Sequence, residues 1–243
     1  MKIKYLITAS FVAASLVQAQ AQNLLQNYSF EQPGTVKINT GFNAVPGWFS
    51  YSVANDTWGP SVTASDSGLN APGSEACIDG VSDAYFMASD QVAASQTTSY
   101  VIQGGETAYV SFWSKNEWTT PSSWWPYLTG DISVAVYAGN PDGVISYQQI
   151  AIPPGSGSHT AMGDWNQYTF SVALPSSDAG QNLGIYLFND SLNVDSAEGV
   201  ANSWIDVDDV YLGLTPSVVP EPSTLALLAL GGLGLAAIRR RQA

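Results

Sequence analysis

The chain has 243 residues, with 20 acidic residues against seven lysines and arginines, so its formal net charge at pH 7 is −13. Between residues 22 and 216 the imbalance is larger, because 19 acidic residues face only Lys37 and Lys115, a net charge of about −17. A field of that sign repels phosphate backbones and excludes nucleic acid as a partner. It suits calcium ions, neutral glycans or simple solubility, and a span of this length can bury a core of its own.

The first 21 residues predict a signal peptide. Two lysines precede an apolar stretch over residues 5–17, which is followed by the small-x-small sequence Ala19-Gln20-Ala21. A charged start, an apolar middle and small residues at the end are typical of a secretory signal that is cleaved. We therefore expect residues 1–21 to be removed during export.

The numbers of cysteine and histidine limit the chemistry of the domain. Cys77 is the single cysteine, so no disulfide can form within the chain, and His159 is the single histidine, so a zinc cluster of Cys and His ligands is excluded. No Gly-x-Ser-x-Gly sequence is present to position a serine nucleophile. We therefore expect no catalytic residues. A pair of carboxylates acting as in a glycosidase is the alternative that the sequence leaves open.

The middle of the chain predicts strands separated by turns. β-Branched and aromatic residues alternate in part through five segments, which are bounded by stretches rich in Gly, Pro and Asn. The predicted strands cover residues 107–113, 131–137, 166–174, 183–188 and 204–214. No segment sustains a 3.6-residue apolar period with caps at both ends. An all-β domain of two packed antiparallel sheets is therefore expected over residues 22–216.

A predicted loop over residues 115–130 is unusual because it contains four large aromatic residues, Trp118, Trp124, Trp125 and Tyr127. The C–H faces of sugar rings are apolar, and flat aromatic rings can stack on them while polar neighbours bond the hydroxyls. These residues therefore predict a polysaccharide-binding platform. The alternative is that the rings fold back and cap the core.

The two ends of the domain carry a recognisable pair of motifs. It opens with Asn23-Leu-Leu-Gln-Asn-Tyr-Ser-Phe-Glu31, followed by Gly47-Trp48, and closes with Asp208-Asp-Val-Tyr-Leu212. This combination resembles the jelly-roll domains of the galactose-binding-like superfold, which include many carbohydrate-binding modules. The resemblance implies a structural Ca²⁺ that bridges the first and last strands, with Glu31 and Asp208 as carboxylate ligands. Carboxylate oxygens are the ligands that Ca²⁺ prefers.

The pattern of the last predicted strand bears on the same metal site. Strict alternation places Asp206, Asp208, Val210 and Leu212 on one face. If Val210 and Leu212 face the core, Asp208 points inward and needs a partner, because an unpaired buried carboxylate is costly. A calcium ion would be that partner. A solvated acidic strand end is the alternative.

Residues 217–243 differ in character from everything before them. Val219, Pro220, Glu221 and Pro222 precede an apolar run over residues 225–238, and Arg239, Arg240 and Arg241 follow at once. The run is short for a membrane span, but extending it back to residue 218 gives the length of about 20 residues that a transmembrane helix needs. Arginines directly after such a helix stay on the cytoplasmic side.

The order of these three elements resembles the PEP-CTERM sorting signal of Gram-negative bacteria. The resemblance implies that an exosortase in the inner membrane recognises the Pro-Glu-Pro segment and processes it. The apolar helix then anchors the precursor transiently, and the mature protein reaches the cell surface or the extracellular matrix, commonly alongside exopolysaccharide. The Pro-Glu-Pro residues and the arginines are on this interpretation a sorting motif of the substrate and not a catalytic site.

Three functional hypotheses follow from the sequence. The favoured one is an exported surface or matrix protein whose β-sandwich binds polysaccharide. The second is a structural matrix or biofilm protein that binds no specific sugar. The third is a glycan-active enzyme.

Overall fold

The computed structural model describes residues 22–33, 37–53, 57–58, 67–73, 77–87, 91–116, 130–153, 164–190 and 204–216. They belong to one compact unit that extends from Gln22 to Pro216. The buried apolar residues that pack together all lie within this unit, so it contains the core that it needs to fold. The predicted signal peptide and sorting tail lie outside the described residues.

The described part of the chain is built from strands, with one 3₁₀ turn at Ser176–Asp178 as its helical element. The strands are β1 (Phe49–Ser52), β2 (Thr57–Trp58), β3 (Gly68–Leu69), β4 (Ala84–Met87), β5 (Val92–Val101), β6 (Glu106–Asn116), β7 (Gly130–Ala138), β8 (Val144–Ile152), β9 (Asn166–Leu174), β10 (Asn182–Asn189) and β11 (Trp204–Gly213). All five predicted strands are present, as β6, β7, β9, β10 and β11. Strand β5 was not predicted, because its sequence VAASQTTSYV is rich in polar residues.

The strands form two sheets in which every pairing is antiparallel. One sheet has six strands in the order β2-β1-β5-β10-β7-β8, and the other has five in the order β3-β4-β11-β6-β9. The predicted all-β fold of two packed antiparallel sheets is therefore confirmed.

The core lies between the two sheets and follows from alternation along the inner strands. Ile132, Val134 and Val136 of β7 face the core together with Ile185 and Leu187 of β10, and all five are fully buried. Burying each such side chain contributes about 1.5–3 kcal/mol to stability. This layer fixes which residues of the same strands lie on the outer face of the six-stranded sheet.

Strand β11 contains a β-bulge in the middle of the acidic motif. Asp208 lies opposite Trp113 of β6 and Tyr211 lies opposite Ser111, so β11 uses three residues where β6 uses two. Asp209, between them, has a positive φ of 48°. An extra residue of this kind reverses the alternation of side chains along the strand that contains it.

The bulge changes the face on which Asp206 and Asp208 lie. The core-facing residues of β11 are Ile205, Val207, Val210 and Leu212. Asp206 and Asp208 therefore point to the outer face of the five-stranded sheet, where both are fully buried. The prediction that they share a face with Val210 and Leu212 was wrong, because strict alternation does not allow for the inserted residue.

The two ends of the sandwich differ in their connections. At the end that we call the turn end, short turns join β5 to β6, β7 to β8 and β9 to β10, and the first of these contains Gly104 and Gly105, whose φ values are 87° and 79°. At the other end, the loop end, Asn189 Nδ2 of one sheet donates to the Phe86 carbonyl of the other at 3.1 Å. The longer connections between β6 and β7, β8 and β9, and β10 and β11 start and finish at the loop end.

Candidate functional site

The four aromatic residues predicted to bind polysaccharide, Trp118, Trp124, Trp125 and Tyr127, lie outside the described residues. The strand ends that flank their segment are nevertheless placed. Asn116 pairs with Ile205 at the end of β6, and Gly130 pairs with Ile152 at the start of β7. Next to Gly130, the Asp190 amide donates to the Asp131 carbonyl at 2.8 Å. Asn116 and Gly130 therefore both lie at the loop end, and Asp190 lies next to the Gly130 side.

The outer face of the six-stranded sheet carries a layer of aromatic rings, which we call the aromatic face: Tyr51, Tyr137, Tyr147, Tyr186 and Phe188. The ring centroids of Tyr51 and Tyr186 are 5.2 Å apart, those of Tyr137 and Tyr186 and of Tyr186 and Phe188 are 6.2 Å apart, and those of Tyr147 and Phe188 are 6.4 Å apart. These separations are typical of favourable aromatic pairs. The layer is continuous from β1 across the sheet to β8.

Most of the aromatic face is buried, and one ring is open to solvent. Tyr51, Tyr137, Tyr186 and Phe188 are each no more than 5% exposed, whereas Tyr147 is 44% exposed. Tyr147 lies on β8, the outermost strand of the sheet. Phe188 is the buried ring that Tyr147 contacts, and Tyr147 is the member of this layer that can contact a ligand directly.

Asp190 fixes the position of Tyr147. The Tyr147 hydroxyl donates to Asp190 Oδ2 at 2.5 Å, and the Ser133 hydroxyl donates to the same oxygen at 2.9 Å. Burial, together with hydrogen bonding to the Asp190 carboxylate, raises the pKa of Tyr147 above its ordinary value. The hydroxyl consequently stays protonated as a donor. The result is an oriented phenol ring beside a carboxylate at the loop end.

A second hydroxyl cluster lies further along the same face. The Tyr137 hydroxyl is 2.8 Å from Thr97 Oγ1 and 3.1 Å from Ser95 Oγ. Burial raises the pKa of Tyr137, although the two hydroxyl partners act in the opposite direction. Thr97 is exposed, so the polar end of this buried ring is close to solvent.

The sequence analysis did not identify the aromatic face, although a signal for it was present. Strands Gly130–Ala138 and Asn182–Asn189 read as nearly continuous apolar runs, and such runs occur where both faces of a strand are covered. Tyr186 and Phe188 alternate with the core residues of β10.

The two predicted calcium ligands both contact one loop, formed by residues 77–82. Asp208 Oδ2 accepts the amides of Ile78 at 2.7 Å and Asp79 at 3.0 Å. Glu31 Oε1 accepts the amides of Val81 at 2.8 Å and Ser82 at 2.9 Å. The structure thus brings the first and last segments of the domain to the same loop.

The carboxylates of Glu31 and Asp208 are hydrogen-bonded to backbone amides. Asp208 Oδ1 also accepts its neighbouring amide, that of Asp209, at 2.7 Å. Burial raises the pKa of Asp208 to about 8, while the three amide donors act in the opposite direction. The loop passes close to Glu31 because Gly80, at a φ of 76°, has no side chain, and a Cβ there would lie 2.1 Å from the Glu31 carboxyl carbon.

Glu31 Oε1 and Asp208 Oδ2 each accept two backbone amides of the 77–82 loop. Ca²⁺ takes six to eight oxygen ligands, and an amide N–H that points at a carboxylate oxygen opposes a cation at that oxygen. No group of three or more Asp, Glu, His or Cys side chains within the described ranges could hold a metal ion. A calcium ion would have to displace amides of the 77–82 loop, so calcium at these residues stays a prediction.

A buried ion pair on the same outer face was not identified from the sequence. Lys115 Nζ lies 3.2 Å from Asp206 Oδ2, and the two side chains are 2% and 0% exposed. Nζ also lies 4.9 Å from the centre of the Trp165 ring, so the cation is in contact with an aromatic face as well. The two residues lie opposite each other on β6 and β11, and without the strand register no sequence pattern pairs them.

The tail of the chain, residues 217–243, contains a match to a known family of sorting motifs. Residues 218–241 match the PEP-CTERM protein-sorting motif. The chain carries a PEP-CTERM sorting signal. The match contains all seven residues of the predicted sorting motif, namely Val219, Pro220, Glu221, Pro222, Arg239, Arg240 and Arg241. A PEP-CTERM signal marks a secreted protein that is sorted through membrane anchoring. Among the described residues no helix is long and apolar enough to cross a membrane, and the PEP-CTERM tail lies outside them.

The β-sandwich is similar in fold to a solved structure. The chain is similar to the Stig cyclase Fisc from Fischerella sp. TAU, solved in complex with (3Z)-3-(1-methyl-2-pyrrolidinylidene)-3H-indole. The identity is 20%, the match covers 82% of this chain and 100% of that chain, and the TM-score is 0.53. At this identity the likeness shows a shared fold and nothing about function.

Carbohydrate-binding modules are also among the similar structures. A CBM4 structure is 19% identical, with 79% of this chain and 99% of that chain covered and a TM-score of 0.43. The CBM22-1 xylan-binding domain of Paenibacillus barcinonensis Xyn10C is 13% identical, with 83% and 100% covered and a TM-score of 0.42. These modules belong to the class that the motifs at the two ends of the domain resemble. No curated protein matches the chain in sequence.

Proposed function

We propose that this PEP-CTERM protein is processed by an exosortase and released to the surface or the extracellular matrix of a Gram-negative bacterium, where its β-sandwich binds polysaccharide. The sorting motif supports the route. The observation that carries the binding proposal is the pairing of an exposed, oriented Tyr147 with Asp190, which lies next to Gly130, the residue that follows the tryptophan-rich segment 117–129.

The chemistry of this pair suits a sugar. The exposed ring of Tyr147 can stack on the C–H face of a pyranose, and the buried carboxylate of Asp190 holds the ring in place by accepting its hydroxyl. Because Tyr147 rests on Phe188 and is bonded to Asp190, little side-chain entropy is lost on binding. A neutral polysaccharide is the preferred ligand, because a domain with a net charge of about −17 repels an anionic one.

The test is retention of the 22–216 domain on immobilised neutral polysaccharides and on a glycan array. Tyr147→Ala should weaken binding roughly 5- to 30-fold, since an aromatic contact contributes about 1–2 kcal/mol. Tyr28→Ala is the matched control, because Tyr28 is similarly exposed, at 37%, and lies outside the aromatic face. Trp124→Ala with Trp125→Ala should abolish retention and leave the cooperative melt intact.

Two results would contradict the binding proposal. Loss of the cooperative melt in the double tryptophan variant would assign these rings to the core. Failure of the wild-type domain to bind any neutral glycan would favour the structural matrix protein.

The sorting part of the proposal is tested separately by the intact mass of the mature protein from its native host. The mature chain should lack residues 1–21 and the apolar helix with its arginines. A soluble secreted form that retains Arg239, Arg240 and Arg241 would be incompatible with exosortase processing.

A further inference from the structure

One side of the sandwich ends in two long edge strands that lie next to each other. β8 is the last strand of the six-stranded sheet, β9 is the last strand of the five-stranded sheet, and the two are in contact. Among the described residues β8 pairs with β7 and β9 with β6, each along one of its sides. On the opposite side of the sandwich the edges are β2 and β3, with two residues each.

The two long edges lack most of the features that normally prevent strand addition. Exposed edges are usually short, contain a β-bulge, or carry charged residues or proline. β2 and β3 satisfy this rule by their length. β8 (VISYQQIAI) and β9 (NQYTFSVAL) have nine residues each and contain no charged residue and no proline. β8 has a β-bulge or irregularity where Val136 and Tyr137 pair with Ser146 and Val144, so the regular part of its edge covers residues 146–152. Neither this part of β8 nor β9 carries a charge that would repel a second strand.

Apolar side chains of β8 and β9 are also partly exposed at the margin of the core. Ile145 and Ile150 of β8 and Tyr168 and Phe170 of β9 pack against the core and are only partly buried. Val144, at the start of β8, is 43% exposed. A partner that extends the sheets at this side would cover these residues as well as pair with the strand edges.

We propose that the β8/β9 side is a self-association surface, on which a second copy of the chain adds its own β8 in antiparallel orientation. A two-fold axis near Gln148 would place Ser146 opposite Ile150 within the regular part of β8, so this segment of one copy can pair with the same segment of another. A second copy is the occupant we infer because two domains of about −17 repel each other least where both lack charge. The dimer joins two six-stranded sheets into one, with β9 of each copy alongside.

Sedimentation velocity of the 22–216 domain tests the proposal. Between about 1 and 200 µM the wild type should shift from monomer to dimer, as mass action requires. Gln148→Lys on β8 and Thr169→Lys on β9 place a lysine at exposed edge positions and should weaken association at least about tenfold. Ser99→Lys is the matched control, because it makes the same charge change at an exposed position of the inner strand β5.

The control separates edge pairing from general electrostatics. Each lysine makes the domain less negative, so general repulsion would fall and association would strengthen in all three variants. Weaker association in the two edge variants alone supports the proposal. A wild type that stays monomeric at 200 µM, or edge variants that associate like Ser99→Lys, would overturn it.

A cysteine at the proposed axis tests the register independently. Directly opposed residues in an antiparallel pair have Cα atoms about 4.5–5.5 Å apart, which suits a disulfide. Gln148→Cys should therefore form a covalent dimer under mild oxidation, whereas Ser99→Cys and the wild type, which has only Cys77, should not. Equal cross-linking of Gln148→Cys and Ser99→Cys would exclude this pairing.

Discussion

The outer faces of the two sheets both contain buried side chains, but of different kinds. On the five-stranded sheet they include the Lys115–Asp206 ion pair and the carboxyl group of Asp208, which is bonded to backbone amides. On the six-stranded sheet they are the rings of the aromatic face, with hydroxyl bonds at its margin. A buried charge depends on one particular partner, whereas a ring in a layer has several neighbours. A single substitution should therefore cost more on the charged face.

Breaking the buried ion pair should have the largest effect. Lys115→Met leaves Asp206 as a buried charge without its cation, and such changes typically cost about 3–5 kcal/mol. We expect a loss of that size in the free energy of unfolding of the 22–216 domain, measured with urea. Lys115→Met combined with Asp206→Leu should recover most of it, because an apolar pair of similar volume is often as stable as the ion pair.

A matched control for this variant lies on the same face. Lys37 is exposed and lies 4.7 Å from the ring centre of Tyr85 and 5.5 Å from that of Trp204. Lys37→Met should cost only about 0.5–1 kcal/mol, the usual range for an exposed cation–π contact. Equal losses from the two lysine variants would mean that burial of the charge is not the decisive difference between the faces.

The two faces also show what sequence reasoning could predict. Strand alternation was sufficient for five strands and the two-sheet architecture, because the core residues of β7 and β10 repeat every second position. It failed at Asp208, because the bulge at Asp209 reverses the alternation. The Lys115–Asp206 pair and the Tyr147–Asp190 bond join strands far apart in sequence, so they depend on a register that no local pattern contains.

The second prediction concerns the carboxylates that hold the 77–82 loop. Asp208→Ala leaves partly buried amides without acceptors, which should cost about 1–3 kcal/mol even in the presence of a chelator. Glu31→Ala should cost less, because one of the two amides that it frees, that of Val81, is exposed and can bond water. If Ca²⁺ binds at these residues, as the family resemblance implies, a hundredfold excess over Kd should add about 2.7 kcal/mol. That gain should raise the melting temperature by several degrees and be absent in both variants.

Magnesium at equal ionic strength is the control for the calcium effect, because general screening of so acidic a surface would also raise the melting temperature. Mg²⁺ needs a tighter octahedral shell and should substitute poorly at a calcium site. Equal shifts from the two ions, or an undiminished calcium effect in either variant, would leave the loop held by carboxylate–amide bonds alone.

The third prediction concerns the close contact between Gly80 and Glu31. Gly80→Ala places a Cβ 2.1 Å from the Glu31 carboxyl carbon at a φ of 76°, so Glu31 must leave its amides. The left-handed conformation and the displaced hydrogen bonds together should cost about 2 kcal/mol. In a Glu31→Ala background the same substitution should cost only about 1 kcal/mol, since backbone strain alone remains. Strictly additive losses would show that Glu31 does not occupy this space in solution.

The smallest effect is expected on the aromatic face. Tyr137→Phe removes a hydroxyl that is bonded to Ser95 and Thr97 and keeps the ring in its layer. Thr97 is exposed and can bond water, and Ser95 Oγ lies 3.5 Å from the Ile185 carbonyl, so the loss at pH 7 should be about 0.5–1 kcal/mol.

Burial raises the pKa of Tyr137 in the folded state above its ordinary value near 10. The folded wild type therefore holds this proton more tightly than the unfolded chain, and the associated stability is lost as the pH rises above about 10. Phenylalanine has no such proton, so the gap between wild type and variant should narrow between pH 9 and pH 11 and then reverse. Urea unfolding at these pH values checks the sign. A gap that stays constant across the range would mean that the Tyr137 hydroxyl reaches solvent, which would make the aromatic face more open than the structure shows.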